Sequence, residues 1–182
     1  MDQANARAVG GHRATDKMFS RDAARLRGRL MHERRKPSLL CRVGDFLCAL
    51  PLEHVEEAMR PMAVEAIAGV PSFVRGLAVV RGVPIPVVDA GSLFSGVASH
   101  ATRFVTVKTG SRRIALAVDA VVGVVEIPPG SLEALPLLFQ DSTLDMIAAI
   151  GTLDTDLLLV LQSARLIPEE LWAVLEAGCV VA

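Results

Sequence analysis

Apolar residues in this chain recur in short runs broken by Gly, Pro, Asp and Ser, the length and punctuation of strands joined by tight turns. After Pro37, the runs Leu39 to Val43 and Phe46 to Leu50 flank Gly44-Asp45. That spacing predicts a hairpin whose two-residue turn pairs Val43 with Phe46 and sets Cys41 opposite Cys48. Pro51 to Met59 begins with proline and carries Glu53, Glu56 and Glu57, which predicts a short helix or turn with Leu52, Val55 and Ala58 or Met59 inward. Residues 60 to 70 read as a looser segment. Leu77 to Val80 and Val83 to Val88 then form a strand pair split by Arg81-Gly82. Prolines at 84 and 86 make the second run an edge strand or a bulged one, because proline cannot donate to a ladder.

The small residues from 91 to 102 predict a flexible link between two subdomains. Strand patterns resume over Phe104 to Thr109, Arg113 to Asp119 and Ala120 to Ile127, with Gly110-Ser111 as a turn and Pro128-Pro129-Gly130 as a break. Residues 131 to 145 read as irregular or partly helical, anchored by Leu135, Leu137, Leu138 and Phe139. Met146 to Leu153 and Leu157 to Leu161 make a last hairpin, and Pro168 to Gly178 has the proline and acids of a helix start and the glycine of a helix stop. Ahead of all this, Phe19, Ala23, Leu26 and Leu30 recur at helical spacing among arginines, which allows a basic amphipathic helix over 17 to 36 that Gly28 weakens, or equally a frayed leader or one that packs on its own body. Many short strands with little helix between them predict a mostly β fold built as two small antiparallel barrels, one on each side of residues 91 to 102.

Composition narrows the classes. With 182 residues, 52% apolar and 21% charged, the chain can bury a real core, so disorder of the whole chain is excluded. The longest stretch without Asp, Glu, Lys or Arg, Ala90 to Thr102, is too short and too polar for a membrane helix. The N-terminus lacks the apolar run of a secretory signal, which places the protein in the cytoplasm with Cys41, Cys48 and Cys179 as reduced thiols. Net charge is −1, but residues 1 to 37 hold ten Lys or Arg against four Asp or Glu, while the remainder holds nine against sixteen. Aromatic content of 4% with no tyrosine leaves few members for a base-stacking platform, which argues against nucleic-acid binding by the body.

Catalytic chemistry finds no foothold. His12, His32, His54 and His100 lie in separate segments, none at metal-ligand spacing from a cysteine, so no metal site is expected. Neither a Gly-x-Ser-x-Gly elbow nor a phosphate-cradling loop occurs. Glu56-Glu57 and Glu169-Glu170 read as acids at helix starts, where the helix dipole accounts for them. The chain is therefore read as a non-enzyme without cofactor, whose function lies in surface for partners. Arg81 read alone is a solvated turn residue, and read at the edge of strongly apolar surface it is one that meets a carboxylate or a partner; its local context leaves both open.

The stretch from Val70 to Asp89 carries more than composition. Pro71, Phe73, Gly76, Arg81, Gly82, Pro86 and Asp89 stand at the spacing Pro-x-Phe-x-x-Gly-x-x-x-x-Arg-Gly-x-x-x-Pro-x-x-Asp, which resembles the signature of the CheW family of bacterial chemosensory coupling proteins. Arg42 to Glu57 looks like that family's first hairpin and following segment, and the similarity runs over about residues 38 to 176.

The resemblance implies two five-stranded SH3-like barrels with short helices and a C-terminal helix. It implies a cytoplasmic adaptor between a chemoreceptor's cytoplasmic tip and the regulatory domain of a CheA-type histidine kinase, meeting the membrane only through receptors. It implies a partner surface of Arg81, Glu57, Val55, Gly82, Val83, Pro84 and Asp89, with Glu57 the internal partner of Arg81. The organisation expected is a basic extension over 1–37, a domain over 38–176 with barrels at about 38–90 and 103–165, and a tail over 177–182. The chain departs from the family pattern at Val79, where asparagine is common, at Cys48, where an aromatic is common, and at Ala90-Gly91, where Leu-Arg often follows the Asp. Alternatives are an accessory relative that binds only one partner, and a small-barrel binder of nucleic acid or anionic surfaces through its basic N-terminus.

Overall fold

The first hairpin forms in the register its spacing dictates. Strands β1 (Pro37–Val43) and β2 (Phe46–Pro51) pair Val43 with Phe46 and Cys41 with Cys48 across a turn in which Gly44 takes φ 56°. Both cysteines are buried free thiols, and the hydrogen bond from Cys41, helped by burial, pushes the Cys48 thiol well up from its ordinary value. The computed structural model describes residues 37–128, 131–133 and 146–178. The helix expected over 17 to 36, the anchors Leu135, Leu137, Leu138 and Phe139, and Cys179 lie outside the described residues.

A 3₁₀ turn at Leu52–His54 carries the chain out of β2 and into a second sheet. Here the segment read as a short helix or turn is mostly a strand, β3 (Val55–Met59). A helix this short is marginal, whereas pairing with β6 (Arg103–Thr109) supplies backbone partners at once. The ladder shifts between Val55 and Glu57, so Glu56 sits in a bulge. Glu56 and Glu57 therefore occupy a strand and not a helix start, while Glu53 stays in the 3₁₀ turn.

Strands β4 (Val74–Val80) and β5 (Val83–Asp89) form the predicted pair around Arg81-Gly82, both at positive φ, 51° and 80°. Two central residues of this kind make the turn that best matches strand twist. Counting out from that turn, Pro84 opposite Val79 and Pro86 opposite Leu77 fall at positions that need no N–H toward β4. β5 is an edge only in this proline half. Its second half, Val87 to Asp89, lies between β4 and β7 (Arg112–Val118), which it joins as a parallel strand.

The remaining strands are β8 (Ala120–Glu126), β9 (Leu132–Glu133), β10 (Ile147–Leu153) and β11 (Asp156–Leu161). They assemble as a six-stranded sheet in the order β8-β1-β2-β11-β10-β9 beside a five-stranded sheet in the order β3-β6-β7-β5-β4. The mostly β, two-sheet reading holds, and β2–β11 and β5–β7 are parallel ladders among otherwise antiparallel ones. The division of strands does not follow residues 91 to 102. Those residues begin with helix α1 (Ala90–Ser95) and join β5 to β6 within one sheet, while β1 and β2 cross over to the sheet of β8 to β11. The boundaries expected at 38–90 and 103–165 therefore do not divide the strands between the two sheets, because the first hairpin finds its neighbours in β8 and β11.

Strand alternation gives each sheet two apolar faces. One core, with Cys41, Leu50, Val105, Leu116 and Leu161 among its members, draws on both sheets. A second, around Val87 and Phe104, belongs to the five-stranded sheet, and a third, around Leu40 and Leu158, belongs to the six-stranded one. Helix α2 (Glu169–Gly178) starts with Glu169 and Glu170 as predicted and lays Leu171, Trp172 and Leu175 on the shared core. The loop before β4 is held by Glu65, whose N–H donates to the Leu77 carbonyl and whose own carbonyl accepts from the Leu77 N–H, each at 2.8 Å. Gly76 makes this approach possible: a Cβ there would stand 1.9 Å from the Glu65 carbonyl oxygen, at φ 134°. Gly76→Ala is therefore expected to cost about 2–4 kcal/mol of unfolding free energy, read by urea denaturation, and to raise amide exchange in residues 60 to 70.

Candidate functional site

The turn between β4 and β5 projects Arg81 outward, and the bulge in β3 brings Glu57 to meet it. Arg81 Nε donates to Glu57 Oε1 at 2.8 Å and Nη2 donates to Oε2 at 2.6 Å, a two-pronged pairing. The arginine side chain stays 79% exposed while the glutamate is 29% exposed, so the carboxylate is the fixed half and the guanidinium the offered half. Hydrogen bonds from Arg81 hold the Glu57 carboxyl below its usual range, against a smaller opposing effect of burial, and the charges of Arg81 and Arg113 add to the lowering. Both groups are charged at neutral pH. Thr106 fixes the glutamate's backbone, its hydroxyl accepting from the Glu57 N–H and donating to the Glu57 carbonyl at 3.2 Å each.

Glu56 turns to a different set of cations. It meets Arg113 Nε at 3.0 Å and Lys108 Nζ at 3.5 Å, so the two adjacent acids pair with different cations. A shallow concavity of about 260 Å³ runs between them, lined by Glu56, Glu57, Arg81, Arg113, Thr106 and Ile85. Beside it the hairpin shows apolar surface, with Val79 57% and Val83 45% exposed. An ion pair that orients and apolar groups that exclude water are the ingredients of a specific protein contact.

Of the residues expected at a partner surface, Arg81, Glu57, Gly82, Val83 and Pro84 gather at this hairpin. Two do not. Val55 is half-buried and packs against the shared core, because the bulge separates its direction from that of Glu57. Asp89 is 1% exposed and presents nothing to a partner. Its carboxylate caps α1, with Oδ1 accepting from Ser92 N–H at 2.8 Å and from Ser99 N–H at 3.0 Å, while Oδ2 accepts from Arg75 Nε at 2.7 Å and from Nη2. Burial alone would raise its pKa, but the two amides and Arg75 outweigh that and hold it low.

Gly91 belongs to the same arrangement. A side chain there would meet the Val97 carbonyl at 2.4 Å, so glycine lets the following loop fold back and bring Ser99 to Asp89. Arg75, Glu56 and Val79 are the members that sequence reasoning missed. Glu56 was masked by its resemblance to a helix-start acid, and Val79 had as its signal only a departure from the family pattern.

Two sheets about a shared core, with an ion-paired and apolar-flanked hairpin tip standing out from one of them, define a mostly β domain of the SH3-like kind. Residues 37–171 match the family model of the CheW-like domain, and the chain belongs to that family of chemotaxis scaffold proteins. Its fold is similar to that in the crystal structure of the scaffolding protein TtCheW from Thermoanaerobacter tengcongensis. The TM-score is 0.62 and the identity 24%, over 73% of this chain and 92% of that one. No helix among the described residues is long and apolar enough to cross a membrane.

Proposed function

We propose that this chain is a non-catalytic adaptor of the cytoplasm that couples the cytoplasmic tip of a chemoreceptor to the regulatory domain of a CheA-type histidine kinase. The observation that carries the reading is the hairpin tip, where Glu57 holds an otherwise exposed Arg81 in one orientation beside exposed Val79 and Val83. Such an arrangement contributes little to stability and much to how a partner is seated, because an exposed ion pair is weak on its own and orienting in company.

The test mixes the full-length chain with a receptor cytoplasmic fragment and the kinase and follows co-sedimentation. A ternary assembly that needs the chain is the expected result. Capture of one partner alone would reassign the chain as an accessory relative. Salt-sensitive binding to nucleic acid that disappears when residues 1 to 36 are deleted, with no affinity for either signalling protein, would replace the reading altogether.

A further inference from the structure

The body of this protein, residues 38 to 182, is acidic, with nine Lys or Arg against sixteen Asp or Glu. Three of those nine cations, Lys108, Arg112 and Arg113, fall within six residues at the β6–β7 turn. They edge a groove of about 530 Å³ that runs between Val83 to Pro86 of β5, this turn and helix α2, and that is floored by Trp172 and Leu175. Arg112 lies over the Trp172 ring with its guanidinium carbon 4.9 Å from the centroid, and its Nη1 donates to Glu169 at 2.6 Å. That double anchor makes Arg112 a wall of the groove. Lys108 and Arg113 share Glu56 and stay about half exposed, so these two cations face one carboxylate.

An apolar slot with a net positive edge, on a body that is otherwise negative, is complementary to an apolar side chain flanked by carboxylates. We propose that this groove binds an acidic peptide segment of another protein, with an apolar residue against Val83, Pro84 and Trp172 and a carboxylate accepting from Lys108 and Arg113. The groove borders the hairpin site, sharing Val83 and Pro84 with the hairpin and Ile85 and Arg113 with its concavity, but neither Arg81 nor Glu57 lines it, and the proposal stands whether or not the receptor–kinase reading does.

To test it, the full-length chain is panned against a random peptide library displayed on phage. Selected peptides are then synthesised and titrated while the emission of Trp172 is followed, the sole tryptophan in a chain without tyrosine. Enrichment of Asp or Glu beside Leu, Ile or Phe is expected, with a saturable change in Trp172 emission that rising salt weakens. Lys108→Gln, which leaves Glu56 paired with Arg113, is expected to weaken binding about tenfold, and Arg113→Gln similarly, while Arg81→Ala leaves it unchanged. Selected peptides without acidic bias, binding that leaves Trp172 silent, or binding indifferent to Lys108→Gln would overturn the proposal. So would loss of peptide binding in Arg81→Ala, which would merge the groove with the hairpin site. The same emission change produced by anionic lipid vesicles or by self-association of the chain, in the absence of selected peptides, would assign the groove to those occupants instead.

Discussion

Alanine at Asp89 is expected to lower the unfolding free energy by about 3 kcal/mol, the low end of what breaking a buried ion pair costs, since water reaches part of Arg75. The substitution strands the guanidinium of Arg75 and removes the acceptor of the Ser92 and Ser99 amides together. Asparagine keeps an acceptor for an amide but not the charge, so Asp89→Asn is expected to cost about half as much. The pH dependence follows from the lowered pKa. Because the folded value lies below the ordinary 3.8, the stabilisation is complete above that value and is lost as pH falls through the lower folded one. Urea denaturation across the acid range checks this: the difference between the native chain and Asp89→Ala should be constant near neutrality and shrink below the ordinary aspartate range. A difference that grew on acidification would show that Asp89 is not held ionised by the fold.

Arg81→Ala is expected to abolish co-sedimentation with receptor and kinase while the melting temperature stays within a few degrees of the native value, because exposed ion pairs contribute little to folding. Arg81→Gly sharpens the experiment. Arg81 holds φ 51°, a conformation that glycine adopts without strain, so this variant relieves the turn while removing the guanidinium. It should fold at least as well as the native protein and assemble as poorly as the alanine variant. Retained assembly in both would remove Arg81 from the interface. Glu57→Gln tests the orienting role separately: one hydrogen bond to Arg81 survives without the charge, and weakened rather than abolished assembly is the expected result.

Much of this fold was legible because its signals are local. Gly44-Asp45 and Arg81-Gly82 each fixed a two-residue turn, and with it the register of Cys41 on Cys48 and of Val80 on Val83. Proline and acids at the head of α2 and glycine at its end gave the last helix. Sheet membership was not legible, since β2 meets β11 over more than a hundred residues of chain and apolar alternation does not say which edge a strand will join. The pairing of Arg81 with Glu57 was reached through the family's spacing. The position of Asp89 beside it in that motif misled, because a motif records that a residue matters and not whether it faces water. Asp89 serves the hairpin from inside, and the bulge at Glu56 turned Val55 inward and sent two neighbouring acids to different cations.

The insertion of β1 and β2 between β8 and β11 has a bearing on how the protein is born. On the ribosome the β1–β2 hairpin emerges before β8 and β11, and until β11 is synthesised β2 lacks its ladder partner on that side. The middle of the chain, β3 to β7, holds all the strands of its own sheet and can close first. Synthesis and assembly therefore run in different orders. The β1–β2 hairpin is made before both of the strands that flank it, and a chain cut short before β11 lacks the strand that pairs with β2.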